Sequence, residues 1–182
     1  MRVSTDISAD SRPIRHLVGP MILFGLGLVI LLAGIGWLGV DRLLIGQGNL
    51  TLPDALAGLP LSEQTRGRGA LAEIKQLHGK GFPLVDGAVA RYGQGAATVW
   101  VSSTWAPFLA GRQVQAMTGR ITEGRSPFVP VSRREVEGIT VYTLAGMGQV
   151  HTYFQLERRV VWLAISPSLA ERGLEELLRA LR

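Results

Sequence analysis

The stretch Gly138–Ser166, "GITVYTLAGMGQVHTYFQLERRVVWLAIS", decides the fold. It holds three runs rich in β-branched and aromatic residues, Ile139 to Leu144, Gln149 to Leu156 and Arg159 to Ile165, broken only by short glycine-rich or charged spacers. Spacers this short close hairpins and leave no room for a crossover helix, so the strands are expected to run antiparallel. Beyond them Ser166 can cap a helix and Pro167 can take its first position. Ala170, Leu174, Leu177, Leu178 and Leu181 then repeat at helical spacing as a buried stripe.

Working upstream, the same plan recurs. "AVARYGQGAATVWVSS" predicts strands over Ala88 to Tyr92 and Ala97 to Ser102 around a Gly93-Gln94-Gly95 turn. Pro107 then opens a helix whose Ala110, Val114, Met117 and Ile121 face inward, whose Arg112, Gln113, Gln115 and Arg120 face away, and which Gly124 ends. An earlier helix is expected from Leu61 or Arg68 to Leu77, with Gly79 as its stop. Val85-Asp86-Gly87 answers Val136-Glu137-Gly138, and "TVWVSS" answers "VVWLAIS". The pattern is that of a duplicated strand-strand-helix unit. The fold class it implies is α+β: a two-layer sandwich with an antiparallel sheet and helices covering one face.

The opening of the chain differs in kind. Residues 17–40 carry no charge, and as a helix this run of 24 would be roughly 36 Å long, enough to cross a hydrocarbon core of about 30 Å. That length exceeds the apolar region of an ordinary secretion signal, although Gly34-Ile35-Gly36 offers a small-x-small cleavage pattern. Arg2, Arg12 and Arg15 on the N-terminal side set the short tail, residues 1–16, in the cytoplasm. The expected organisation is tail, membrane helix over 17–40, a Gly- and Pro-containing linker over 41–60, and an extracytoplasmic domain over 61–182. Gly27 and Gly34, seven apart on one helix face, are candidates for close contact with another membrane helix. Gly34 to Gly39 also spells GxGxxG, but without a preceding strand or a following soluble helix it has no nucleotide-binding context.

The chemistry of the remainder is sparse. The formal net charge of +5 is too mild and too scattered to argue for nucleic acid, and the absence of cysteine excludes disulfides, thiolate metal sites and a lipoprotein anchor. No GxSxG elbow occurs. Glu135 and Glu137 read as turn charges, and Glu175 and Glu176 as the polar face of the last helix. His78 and His151 are the only histidines beyond the membrane segment, one short of the usual three-ligand catalytic zinc site. No cofactor and no catalytic activity are expected. Trp100 and Trp162 occupy matching positions and read first as core. An exposed sheet face would instead present Arg91, Arg158, Arg159 and one of Tyr153 and Phe154 to a partner, since neighbours on a strand point opposite ways.

"LHGKGFPLVDGAVARYGQGAATVWVS" together with "GQVHTYFQLERRVVWLAISPSLAERGLEELLRAL" resembles the exported half of single-pass bacterial transmembrane regulators of the anti-sigma-factor type. The resemblance covers roughly Leu77 to Leu181 and lies in pattern more than in fixed motif. It implies an inner-membrane protein with an extracytoplasmic sensing or docking domain. The cytoplasmic sigma-binding domain of that family has no counterpart in residues 1–16, so sigma-factor binding is not implied. Two functions follow as expectations: a non-catalytic, membrane-anchored module that binds a membrane or extracytoplasmic protein as an accessory subunit, or a sensor that takes a small ligand between sheet and helices.

Overall fold

A computed structural model describes residues 23–36, 45–46, 48–78 and 81–182, without the side chains of residues 77 and 78. The chain divides into two units, residues 1–43 and residues 44–182. In the first, residues 23–36 form helix α1, apolar and exposed on every side, with Phe24, Val29 and Ile35 among its uncovered side chains. Among the described residues no helix is long and apolar enough to cross a membrane. The other parts of the expected span, and the tail before it, lie outside the described residues. Among the described residues nothing stands within 4 Å of a side chain built at Gly27 or Gly34.

The second unit is an α+β fold around one eight-stranded antiparallel sheet. Its elements run β1 (Ala55–Leu56), β2 (Leu59–Arg66), α2 (Gly67–His78), β3 (Leu84–Tyr92), β4 (Ala97–Thr104), α3 (Pro107–Thr122), β5 (Val129–Val136), β6 (Ile139–Gly146), β7 (Gln149–Leu156), β8 (Arg159–Ile165) and α4 (Ala170–Leu181). The strand order is β1-β2-β3-β4-β8-β7-β6-β5, two meanders joined where β4 pairs with β8. Three of the reversals are two-residue turns, Ala57-Gly58, Glu137-Gly138 and Met147-Gly148, with positive φ at both positions. That geometry suits the right-handed twist of the flanking strands.

Alternation along the strands sorts the core into two faces. Ala88, Val99, Val101, Phe154, Val161, Leu163 and Ile165 point to one face and pack under Leu174, Leu177, Leu178 and Leu181 of α4. Gly173 brings α4 close, since a Cβ there would stand 2.7 Å from Ile165 Cδ1. The opposite face carries α2, over Val89 and Trp100, and α3, over Leu144, Tyr153 and Val160. Helices therefore cover both faces, and the two-layer expectation is corrected to three layers. The repeat is likewise partial. Trp100 and Trp162 are direct cross-strand partners at the centre of the sheet, but α3 and α4, which follow the matching hairpins, lie on opposite faces.

Three further readings change. Leu61 to Arg66 forms strand β2 instead of the start of a helix, because Gly67, at φ +61°, breaks the chain there before α2 begins. Strand β5 was not expected: it is an outer strand, exposed along almost its whole length, so its sequence lacks the alternation of a half-buried strand. The linker expected up to residue 60 is in part structural. Leu52, Leu56 and Ala57 are buried in the core under α4, and Tyr92 donates its hydroxyl to the Pro53 carbonyl at 2.9 Å. Burial, then the nearby Asp54 charge, pushes that phenol up to about 12. Asp86 fixes the incoming chain, its carboxylate accepting the backbone N–H of Gly48 (3.1 Å), Asn49 (3.0 Å) and Gly87 (2.9 Å).

Candidate functional site

An unbroken row of cross-strand partners crosses the α2/α3 face: Arg133 opposite Tyr142, Tyr142 opposite Tyr153, Tyr153 opposite Trp162, Trp162 opposite Trp100. Direct neighbours in a sheet stand close enough for their side chains to touch, and here the rings stack. Tyr142 and Tyr153 have centroids 4.8 Å apart and planes 7° from parallel, Tyr153 and Trp162 5.3 Å and 10°. The Arg133 guanidinium lies 5.7 Å from the Tyr142 centroid, within cation–π range.

One helix holds the Trp100 end of the row and another holds its middle. On the α2 side Trp100 donates its indole N–H to Glu73 Oε1 at 3.2 Å, and the same oxygen accepts from Arg91 at 2.7 Å. On the α3 side the hydroxyls of Thr118 and Tyr153 meet at 2.9 Å. Burial raises the Tyr153 pKa, with the Thr118 bond acting against it. Between the two helices Gln113, expected to face solvent, turns inward and exchanges hydrogen bonds with Ser102, its amide donating at 3.2 Å. A buried amide needs such a partner.

Trp162 forms the floor of an open cleft. Its indole N–H donates to His151 Nδ1 at 3.2 Å, and His151 Nε2 lies 3.1 Å from the Gly146 carbonyl. Because Nδ1 accepts, the proton sits on Nε2, and the imidazole is neutral with both nitrogens satisfied. Burial holds the His151 pKa below the ordinary imidazole value, the Gly146 bond opposing it. Phe128 closes over this pair, its ring centroid 4.6 Å from His151 and 5.2 Å from Trp162. Gly146 permits that approach: a Cβ there would fall 2.7 Å from Phe128 Cδ1 and 3.2 Å from the Pro127 carbonyl oxygen.

The cleft above Trp162 has a volume of about 400 Å³ and lies between Phe82, the second half of α3 and the segment leading to Phe128. Its walls are mostly apolar, with Met117 and Ile121 beside the aromatics, and its charged groups among the described residues are Arg120 and Arg125, both exposed at the rim. Arg125 is ion-paired with Glu123, whereas Arg120 makes no ion pair among the described residues. A smaller hollow of about 320 Å³ on the other side of α3 is floored by Tyr142 and lined by Pro130 and Arg133. Concave, mostly apolar space with a few placed polar groups is the usual form of a small-molecule site.

The sequence-derived candidates fall elsewhere. Tyr153 and Phe154 are 1% and 0% exposed, so neither forms a surface: with helices on both faces, both directions along β7 are covered. Arg91 is engaged by Glu73 and Glu63, and Arg159 donates to the Leu181 carbonyl. Arg158 is exposed in the β7–β8 turn. His151 is buried beneath the cleft, and the His78 side chain lies outside the described residues. Among the described residues no three His, Asp or Glu side chains come together as a metal site. The cleft's own residues, Phe82, Arg120, Arg125 and Phe128, were missed. Only Arg120 carried a signal, as a polar residue on the outward side of the α3 pattern. Set against family models, curated proteins and solved structures, the chain matches none.

Proposed function

We propose that this chain is a non-catalytic binding protein, held at a membrane by its N-terminal apolar segment, whose extracytoplasmic domain takes a small ligand in the cleft over Trp162. The observation that carries the reading is the prepared state of the cleft floor. The Trp162 ring is stacked on Tyr153 from one side of the row and hydrogen-bonded to His151, which in turn is bonded to backbone. A floor fixed before a ligand arrives lowers the ordering cost of binding. The membrane part rests on the uncharged run 17–40 and on the exposed apolar surface of α1, which water solvates poorly.

The test uses the full chain in neutral phosphatidylcholine nanodiscs with 15N-labelled tryptophan. Naphthalene-2-carboxamide is expected to shift the Trp162 indole signal saturably, the signal being assigned by its loss in Trp162→Phe, and Ala116→Phe, which narrows the cleft wall, is expected to weaken that binding. A Trp162 signal that does not move at millimolar ligand would overturn the reading. For topology, the natural lack of cysteine makes a single Cys at Ser168 a clean reporter. It is expected to react with an impermeant maleimide in intact spheroplasts, and reaction only after lysis would reverse the orientation.

The accessory-subunit reading is favoured by a different feature, Trp105 and Phe108, both exposed at the start of α3. Large aromatics left in water at a rigid turn suit a protein contact. Mild-detergent purification of the tagged chain, yielding a stoichiometric partner that Phe108→Ser releases, would favour this reading over the sensor.

A further inference from the structure

We infer that the cleft selects an apolar monoanion: one carboxylate or similar acid group on a flat hydrophobic body, with Arg120 as the group that recognises the charge. The inference rests on the binding function proposed above and names its ligand class. It follows from what each wall can offer. Phe82, Met117, Phe128 and Trp162 present carbon, so they reward an apolar body and give no direction to a polar one. Ser126 is already engaged, its hydroxyl accepting the Phe128 backbone N–H at 3.3 Å. Recognition of a polar head therefore falls to the two guanidiniums at the rim.

These two are not equivalent. Arg125 is neutralised by Glu123, two residues away on the same turn, whereas Arg120 has no carboxylate partner among the described residues. Among the described residues the rim thus carries an excess of one positive charge, which complements a single negative charge. A cation would be repelled by Arg120. A guanidinium also presents paired N–H donors suited to the two oxygens of a carboxylate. Arg120 stands in the last turn of α3, where it already favours the helix dipole, so it is exposed without needing a partner for the fold.

The experiment compares naphthalene-2-carboxylate with its neutral amide on the full chain in neutral nanodiscs, reading the Trp162 indole signal. The acid is expected to bind about three- to tenfold more tightly than the amide, the range of an exposed charge-assisted contact, and the ratio should shrink in 0.5 M salt. Arg120→Gln should bring the ratio to about one, whereas Arg125→Gln made together with Glu123→Gln, which removes the ion pair as a whole, should preserve it. Equal affinities for acid and amide in the parent protein would overturn the inference and leave the binding function standing. A preference removed by the Arg125→Gln, Glu123→Gln double variant but not by Arg120→Gln would overturn the assignment to Arg120. If neither compound moves Trp162, the proposed binding function itself fails.

Discussion

Trp162 donates its indole N–H to Nδ1 of His151, and this bond fixes the protonation state of a buried histidine from the side of a tryptophan. Protonating His151 would set one N–H against another at 3.2 Å and place an uncompensated charge in the core. Its pKa is accordingly lower in the folded chain than the ordinary value of 6.5. Between 6.5 and that lower value the unfolded chain binds a proton that the folded chain refuses, so stability falls as the pH is lowered through this window and levels off below it. Melting temperatures at pH 7.5 and 5.5 should therefore differ more for the parent than for His151→Gln, whose amide oxygen still accepts from Trp162 but does not titrate.

Gly146→Ala forces a methyl group against the Phe128 ring and the Pro127 carbonyl. Overpacking of this kind costs about 1–3 kcal/mol. Urea unfolding should show that loss. Because the displaced ring is a wall of the cleft, naphthalene-2-carboxylate affinity should fall in the same variant, whereas Gly119→Ala, with open space around it, should leave affinity unchanged.

Thr152 hides its hydroxyl in the core without a hydrogen-bond partner. Replacing it with valine keeps the shape and removes the unpaid desolvation, and about 1 kcal/mol of added stability is expected. A higher urea midpoint at unchanged slope is the outcome that checks this, and an unchanged midpoint would mean that the hydroxyl is solvated.

Asp86→Asn keeps the size of the side chain but turns one acceptor oxygen into a donor facing a backbone N–H. A loss of about 1–3 kcal/mol is expected. Hydrogen exchange should accelerate at Gly48 and Asn49 ahead of the rest of the sheet, since those amides depend on the carboxylate.

Legibility in the sequence followed burial. The helices Pro107–Thr122 and Ala170–Leu181 were readable because each buries one side of a periodic pattern, and the strands Gln149–Leu156 and Arg159–Ile165 because they are runs of β-branched and aromatic residues bounded by turn residues. Strands β2 and β5 were not, since both lie toward the sheet margins, where solvent relaxes the alternation. Gln113 was misplaced because helical period gives direction but does not reveal Ser102 waiting across the interface. The cleft was invisible for a related reason. Phe82 lies just before β3, Arg120 and Phe128 lie at and just after the end of α3, and Trp162 lies on β8, so only the pairing of β4 with β8 brings their supports together.

That seam sets a schedule for assembly. The β3–β4 and β7–β8 hairpins are local, but the β4–β8 partners, from Ser103 with Arg159 to Ala97 with Ile165, lie roughly 55 to 70 residues apart. Late, non-local pairing is the slow part of folding. At roughly 5 to 20 residues per second, β4 waits some 3 to 14 seconds of synthesis with its inner edge bare. During that interval the same edge can accept β8 from another copy, the route to an exchanged dimer. The centre of the finished sheet is therefore the place where crowding of newly made chains would first be felt.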